Sequence, residues 1–324
     1  MSWTAYESTR RSPARNLALE DALLENRDRK VSILLVYRND PCVVVGRNQN
    51  PWREALAGAG FPVFRRRSGG GTVYHDGGNL NWSFMVDRDA WVVEDALDFV
   101  VAALRRLGAE PARDPRGALF LEGRKICGTA RRYFGPSVLI HGTLLVSSDL
   151  EALRTSLAGI PSAEDRAVAS VPSPVRNLSE TLPGLTVDSV RDALIEELEA
   201  REGPVDLEDP ERILPESAWS DREREHASWD WVYGGTLPFL VSLGPGGEGP
   251  FLRVREGRAE DLEIRRNDGG EPGRAGDTPD LLLPEAWVGR PFDPDLLESL
   301  RAWVNRNYAP EPAPGGTSPG RHRA

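Results

Sequence analysis

The sequence predicts a mixed α/β fold, α and β elements interleaved on a twisted sheet, followed by a smaller α+β domain. Three observations carry this. β-rich runs alternate with helical patterns from Asn16 to about Leu198. The glycine run Gly69-Gly70-Gly71 leads into further β-prone residues rather than into a helix. Finally, Leu243–Pro250 (LGPGGEGP) is the strongest linker signal in the chain. The expected division is residues 1–240, residues 241–308 and a disordered Pro-, Gly- and Arg-rich tail, 309–324.

Asn16 is suited to cap a helix running to about Asn26, with Leu17, Ala18, Ala22 and Leu23 on its apolar face. Val31–Arg38 and Cys42–Arg47 are β-rich, and Asn39-Asp40-Pro41 between them predicts a hairpin. Arg47-Asn48-Gln49-Asn50-Pro51-Trp52 reads equally as a capped strand end or as the polar wall of a binding site. A helix over Trp52–Gly58 leads to a strand at Pro62–Arg66. Asn79–Val86 alternates polar and apolar side chains, the pattern of a half-buried strand.

Val93, Leu97, Val100, Leu104 and Leu107 define one helix face, and Gly108 ends that helix. Ala118–Leu121 and Arg124–Ile126 form a hairpin around Glu122-Gly123. Ser137–Ser147 is a long strand, and Thr186 caps a helix with Val187, Val190, Leu194 and Leu198 on one side. Residues 204–228 read as a surface connection, with Trp229–Gly234 as an aromatic anchor. Short β runs at Phe251–Val254 and Leu262–Arg265 precede a helix from Pro294 capped by Asp293. No internal repeat is present.

Composition narrows the class. The 324 residues carry a net charge of −10, which argues against general nucleic-acid binding. Two cysteines make no disulfide framework, and with four histidines they make no spaced zinc set. No apolar run approaches a membrane span, and no signal core follows the N-terminal arginines. The expectation is a cytoplasmic protein.

Phe64–Phe84 (FRRRSGGGTVYHDGGNLNWSF) concentrates the chemistry. Glycines admit positive φ and close backbone approach. Arg65, Arg66 and Arg67 beside them supply forks of donors suited to phosphate or carboxylate. The stretch therefore reads as an anion-holding loop on which all three guanidinium groups converge; a plain glycine turn beside a solvated basic patch is the alternative. Neither a phosphate-binding Gly-x4-Gly-Lys loop nor a dinucleotide fingerprint fits.

Several stretches together resemble the lipoate–protein ligase and lipoyltransferase family. They are Asn16–Glu20, Gly46–Trp52, Arg65–Phe84, Arg124–Ala130, His141–Leu145, Ser170–Leu178 and Trp229–Gly234, in family order over roughly residues 1–240. The resemblance implies a biotinyl/lipoyl-ligase-like catalytic domain with a small C-terminal accessory domain. It implies a two-step reaction: lipoate, or octanoate, and ATP form an acyl-adenylate, and the acyl group passes to a lysine of a lipoyl domain. Acceptors would be 2-oxoacid dehydrogenase E2 subunits and glycine cleavage H protein. By the same match Lys125 is the catalytic lysine between carboxylate and α-phosphate. Arg66, Ser68, Gly70, Gly71, Thr72, Val73, Tyr74, His75, Gly128, Ala130 and His141 hold nucleotide and acyl group, with Mg2+ as the expected ion and a monomer as the expected state.

The chemistry is sound in itself. Carboxylate attack on phosphate brings two anions together, and an ammonium between them relieves the repulsion. Only Lys30 and Lys125 interrupt a chain whose other cations are arginines.

Two departures bear on activation. Ligases carry an acid before the lysine hairpin, where this chain has Arg116–Phe120; Asp114 is nearby but out of register. Their basic adenylate loop is here Ser170-Val171-Pro172-Ser173-Pro174-Val175, closer to the animal lipoyltransferase form. Three readings follow: an ATP-dependent ligase, a transferase moving lipoyl or octanoyl groups without activating free lipoate, and a non-catalytic lipoyl-domain binder. Cys127 is expected to be a buried filler rather than a nucleophile.

Overall fold

The computed structural model describes residues 2–55, 60–160, 163–244, 247, 249–264, 273–274 and 282–307. The expected tail at 309–324, part of the 243–250 linker and the end of the Trp52–Gly58 helix lie outside the described residues. The chain divides into two compact units, one comprising residues up to Pro238 with Arg255–Gly257, the other Phe239–Val254 with the residues from Arg258 onward.

The first unit is built on an eight-stranded mixed sheet. Its strands are β1 (Ser2–Ser8), β2 (Val31–Tyr37), β6 (Asn79–Asp87), β7 (Ala112–Arg113), β8 (Leu119–Leu121), β9 (Arg124–Phe134), β10 (Ser137–Leu145) and β12 (Leu207–Glu208). Their spatial order is β12-β1-β2-β6-β10-β9-β8-β7. β1 runs parallel to its two neighbours, and the other pairs are antiparallel. A second, three-stranded sheet takes β3 (Cys42–Val45), β4 (Val63–Arg65) and β5 (Val73–His75), in the order β4-β3-β5. The predicted hairpin is thus corrected: β2 and β3 belong to different sheets, and Asn39-Asp40-Pro41 links two layers. A further short strand, β11, covers Ala163–Glu164.

Side-chain alternation assigns the two faces of the large sheet. Leu34, Val36, Leu80, Trp82, Phe84, Val138, Ile140 and Leu144 bury against α3 (Val93–Arg106) and α5 (Val187–Glu202). The opposite face carries Ile33, Leu35, Met85 and Leu139, packed on Leu23 and Leu24 of α1 (Pro13–Asn26). That second face also bears the buried Asn81, Ser83 and His141 and the half-buried Thr143. Its polar residues point to a cavity, not to solvent.

Ser12, not Asn16, caps α1: its Oγ accepts from Arg15 N, and Pro13 occupies the first turn. Asn16 sits inside the helix and is fully buried. It accepts from Ser8 Oγ at 2.7 Å and donates to Arg38 O at 3.1 Å and Asn39 Oδ1 at 2.8 Å. Residues 204–228 are likewise more than a surface connection. They hold β12, the short helices α6 (Pro210–Ile213) and α7 (Ser220–His226), and the buried side chains of Trp219 and His226.

In the second unit β13 (Phe239–Ser242) pairs antiparallel with β14 (Phe251–Arg255), followed by β15 (Arg258–Ile264) and β16 (Gly273–Arg274). α8 (Pro294–Asn307) is capped by Asp293, whose Oδ1 accepts from Leu296 N at 2.7 Å, and buries Leu296, Leu297, Leu300 and Val304.

Candidate active site

The polar face of the large sheet and the three-stranded sheet enclose a cavity of about 360 Å3. Of the expected residues, Arg66, Gly70, Gly71, Thr72, Val73, His75, Lys125, Gly128, Ala130 and His141 line it. A second cavity of about 330 Å3 takes in Tyr74, Cys127, Leu145, Leu153 and Pro172. Lys125, Thr72, Val73, Gly128, Thr143 and Ser170 belong to both walls. Ser68 lines neither cavity; it is buried behind the glycine loop.

A β-bulge aims Lys125. Phe120 pairs with Lys125 and Leu119 with Cys127, so Ile126 is an extra residue on β9. Ile126 and Cys127 therefore both enter the apolar core, and Lys125 swings to the cavity side. Its backbone is gripped by the prolyl loop: Lys125 N donates to Pro174 O at 2.8 Å, and Arg176 N donates to Lys125 O at 3.1 Å. Gly128 leaves room for the side chain, since a Cβ there would lie 3.1 Å from Lys125 Nζ. Among the described residues no carboxylate or other acceptor pairs with this ammonium.

The three arginines do not converge, contrary to expectation. Arg65 spends its guanidinium on the carbonyls of Gly46, Arg47, Gln49 and Val232 and on Thr236 Oγ1. Arg67 pairs with Asp21 and Glu225 and lies over the Trp231 ring, 4.5 Å from its centroid. Both tether the Trp229–Gly234 segment, which turns once as a π-helix over Asp230–Gly234. The solvated-patch alternative fails with them.

Arg66 alone reaches the cavity, and it braces the loop. It donates to Ser68 Oγ at 2.9 Å, Val44 O at 3.1 Å, Gly69 O at 2.6 Å and Gly71 O at 2.7 Å. A guanidinium has five N–H groups, so the free fork expected for a phosphate is mostly occupied. Burial lowers its pKa to about 10, partly offset by Glu20 and Tyr37.

A chain of buried groups continues from Arg66. His141 Nε2 lies 2.7 Å from Ser68 Oγ, and its Nδ1 lies 2.9 Å from Glu20 Oε1. With Nδ1–H donating to the carboxylate, Nε2 accepts the Ser68 hydroxyl proton, and Ser68 Oγ accepts from Arg66. Burial pushes Glu20 up, yet His141 and Ser83 outweigh it and hold the carboxyl below its ordinary value. Glu20 stands among the residues that carry the resemblance, but no helix-face argument singled it out.

His75 is fixed as a neutral ring. Asn39 Nδ2 donates to its Nδ1 at 2.9 Å, leaving Nε2–H to donate to Thr143 Oγ1 at 2.9 Å, whose hydroxyl donates to Asn81 Oδ1 at 2.7 Å. Burial, with Arg66 and His141 nearby, lowers its pKa to about 3. It presents the cavity with an uncharged wall.

Gln49 and Asn50 act as braces, not as the cavity wall. Gln49 Oε1 accepts from Gly46 N and Thr72 Oγ1, each at 2.8 Å. Asn50 caps α2 (Pro51–Glu54) and donates to Asp165 at 2.7 Å. Asp114, expected to be out of register, lines the larger cavity, and its Oδ1 accepts from Arg116 N and Ala118 N. Cys127 is buried and its thiol is pushed up to about 12 by burial. Among the described residues no three His, Cys, Asp or Glu side chains cluster to hold a metal.

An unpaired ammonium shared by two cavities, one of which the braced glycine loop also lines, is an arrangement suited to holding an anion. Residues 12–199 match the lipoyl protein ligase A/B catalytic domain, and the chain belongs to that family of lipoate–protein ligases and lipoyltransferases, enzymes of protein lipoylation. It is 30% identical to lipoate-protein ligase A of Bdellovibrio bacteriovorus, over 92% of this chain and 87% of that one. Against the mitochondrial lipoyl amidotransferase LIPT1 of Mus musculus it is 34% identical, over 86% and 79%. Among solved structures, P. falciparum LipL1 in complex with lipoate shares the fold with a TM-score of 0.62 at 23% identity, over 81% and 84%. A lipoate-protein ligase A bound with ATP gives 0.57 at 25% identity, over 71% and 98%.

Proposed function

We propose that this chain is a lipoate–protein ligase that activates lipoate with ATP and transfers the lipoyl group to the acceptor lysine of a lipoyl domain. The observation that carries this reading is Lys125, an unpaired ammonium on the wall common to two cavities. Such a charge stabilises both the carboxylate and the phosphate it attacks. A carboxylate oxygen bonds to the α-phosphorus, the bond to the β-phosphate oxygen breaks, and pyrophosphate leaves with that electron pair. Related structures bound to lipoate and to ATP support both substrates. Octanoate fits the same chemistry, because the acyl carboxyl is the group that reacts.

Residues 1–240 act as the catalytic domain and 241–308 as its accessory. Arg66, Ser68 and His141 hold the glycine loop in shape; Gly70 through His75, Gly128 and Ala130 face the bound molecules. Magnesium takes carboxylate and phosphate oxygens. Asp114 on the cavity wall is the candidate acid for that role, but its Oδ2 faces Arg116 Nε at 3.4 Å. The exposed Arg116 would have to swing aside for an ion that would supply positive charge at the phosphates. The partners are lipoyl domains of E2 subunits and H protein; a Thermoplasma acidophilum bipartite ligase has been solved as a system with its E2 lipoyl domain. The enzyme works as a monomer in the cytoplasm, a setting compatible with two buried free thiols.

A transferase that starts from a ready-made acyl donor is the second reading. It is favoured by Pro172 and Pro174 in place of cations, and by the amidotransferase relative. One experiment separates the two. Protein and apo lipoyl domain are incubated with lipoate, ATP and Mg2+, and in parallel with preformed lipoyl-adenylate. Product in both tubes marks a ligase, and product from adenylate alone, or in a third tube from a lipoylated donor domain without nucleotide, marks a transferase; product in none of the three refutes both.

A further inference from the structure

Ser170 belongs to the prolyl loop and lines both cavities beside Lys125. Its Oγ accepts from Thr72 N at 2.9 Å and from Gln49 Nε2 at 3.0 Å. Those two donors occupy both acceptor sites of a hydroxyl, which leaves one O–H to donate. Among the described residues that proton has no acceptor. Thr72 and Thr143 on the same wall differ, since their protons go to Gln49 and Asn81. Ser173 makes no side-chain hydrogen bond among the described residues, so nothing aims it.

Ser170 is also held at its backbone. Its N–H faces both carboxylate oxygens of the buried Glu54 at 3.2 Å, and Val168 N donates to Asn48 O at 2.9 Å. A hydroxyl fixed through its nitrogen and both lone pairs has its remaining donor fixed in direction. It needs no reorganisation when charge develops, which is the condition for effective electrostatic catalysis.

We infer that Ser170 is a catalytic donor to the acyl carbonyl oxygen beside Lys125, an inference that rests on the acyl-transfer reading above. In the transfer step the neutral amine of the acceptor lysine adds to the acyl carbon. The C–N bond forms, and the carbonyl π pair moves onto oxygen, where the Ser170 O–H meets it. The pair then returns, the carbon–oxygen bond to phosphate breaks, and AMP leaves with its electrons. The proton of the new ammonium passes to solvent.

The test uses full-length protein, preformed lipoyl-adenylate and an apo lipoyl domain. Ser170→Ala is expected to lower kcat by about 100-fold, the usual cost of losing one such donor, with KM for the adenylate within about threefold. Ser170→Thr, which keeps the hydroxyl, should recover most of kcat. An unchanged kcat with a raised KM would reduce Ser170 to a loop latch and overturn the inference. If Ser170→Ala does not fold, Ser170→Cys, with its weaker S–H donor, must show the kcat loss instead; wild-type kcat in that variant overturns the inference too. A wild-type enzyme that makes no product from adenylate removes the acyl-transfer reading itself, and this role with it.

Discussion

Lys125 stands opposite Phe120 while Cys127 stands opposite Leu119, and the odd residue between them, Ile126, is what turns the lysine toward the cavity. Regular pairing would send Lys125 to the same face as Cys127, into the core between the sheet and α3. An ammonium there would lack any partner and would be strongly disfavoured. The bulge thus places a lone cation where an anion can reach it.

Replacing Lys125 with Met keeps its length and removes its charge. Adenylate formation should fall by at least about 100-fold, with the thermal midpoint unmoved because no partner is orphaned. Lys125→Arg should also fail, since a planar fork does not substitute for a compact point charge. Full adenylate formation by Lys125→Met would remove Lys125 from the chemistry.

Arg66 makes a different prediction from the one its sequence context invites. A phosphate contact would cost affinity only, whereas a loop brace costs the fold. Arg66→Ala strips donors from Ser68, Val44, Gly69 and Gly71 at once. The ligand-free protein should lose about 3 kcal/mol, because several buried acceptors lose their donor together. Urea unfolding without nucleotide decides it; an unchanged midpoint would restore the phosphate role.

The sequence shows the sheet but not which way its polar face looks. Asn79–Val86 alternates as a half-buried strand does, and alternation normally means solvent on the polar side. Here that side faces the cavity, because the three-stranded sheet covers it, and pairing between distant layers leaves no local mark. The same holds for Arg65 and Arg67. Their partners, Val232 and Glu225, lie more than 150 positions away. The bulge at Ile126 was equally silent, since Arg124–Ile126 has ordinary β composition. What could be read were local signals: the turn residues Glu122 and Gly123, both at positive φ, the helix cap at Thr186, and the glycine run itself.

Gly46 makes a steric prediction. Its backbone lies so close to the glycine loop that a Cβ would overlap Gly70 O. Gly46→Ala must therefore push the loop toward the cavity or shift β3. Acyl-adenylate affinity should fall at least about tenfold, and a normal affinity would show that the loop adjusts freely.

His75 gives stability a pH dependence whose sign can be worked out. Its folded pKa, about 3, lies below the 6.5 of an imidazole in the unfolded chain. Between these values the unfolded chain binds the proton and the folded protein does not, so acid favours unfolding. The contribution is complete above about pH 6.5 and is lost as pH falls toward 3, at up to about 1.4 kcal/mol per pH unit. Chemical unfolding of wild type and His75→Gln at pH 7.5 and 4.5 isolates this share. The variant should be less sensitive to the change, and equal sensitivity would mean that His75 is not held neutral.

Cys127 decides whether a covalent acyl-enzyme is in play. It lines the second cavity two residues from Lys125, so position alone would allow a nucleophile. Reactivity needs the thiolate, and burial pushes this thiol up to about 12, with Lys125 and Trp82 pulling only part of the way back. At neutral pH the thiol form dominates by far. Cys127→Ala is therefore expected to keep lipoyl transfer from the adenylate within about threefold and to abolish no donor-domain exchange. Mass spectrometry of wild type quenched during turnover should show no mass added at the cysteine. An acylated Cys127 peptide, or transfer between lipoyl domains that disappears in Cys127→Ala, would show that the thiol is ionised during turnover and would move the first acyl acceptor from lysine to cysteine.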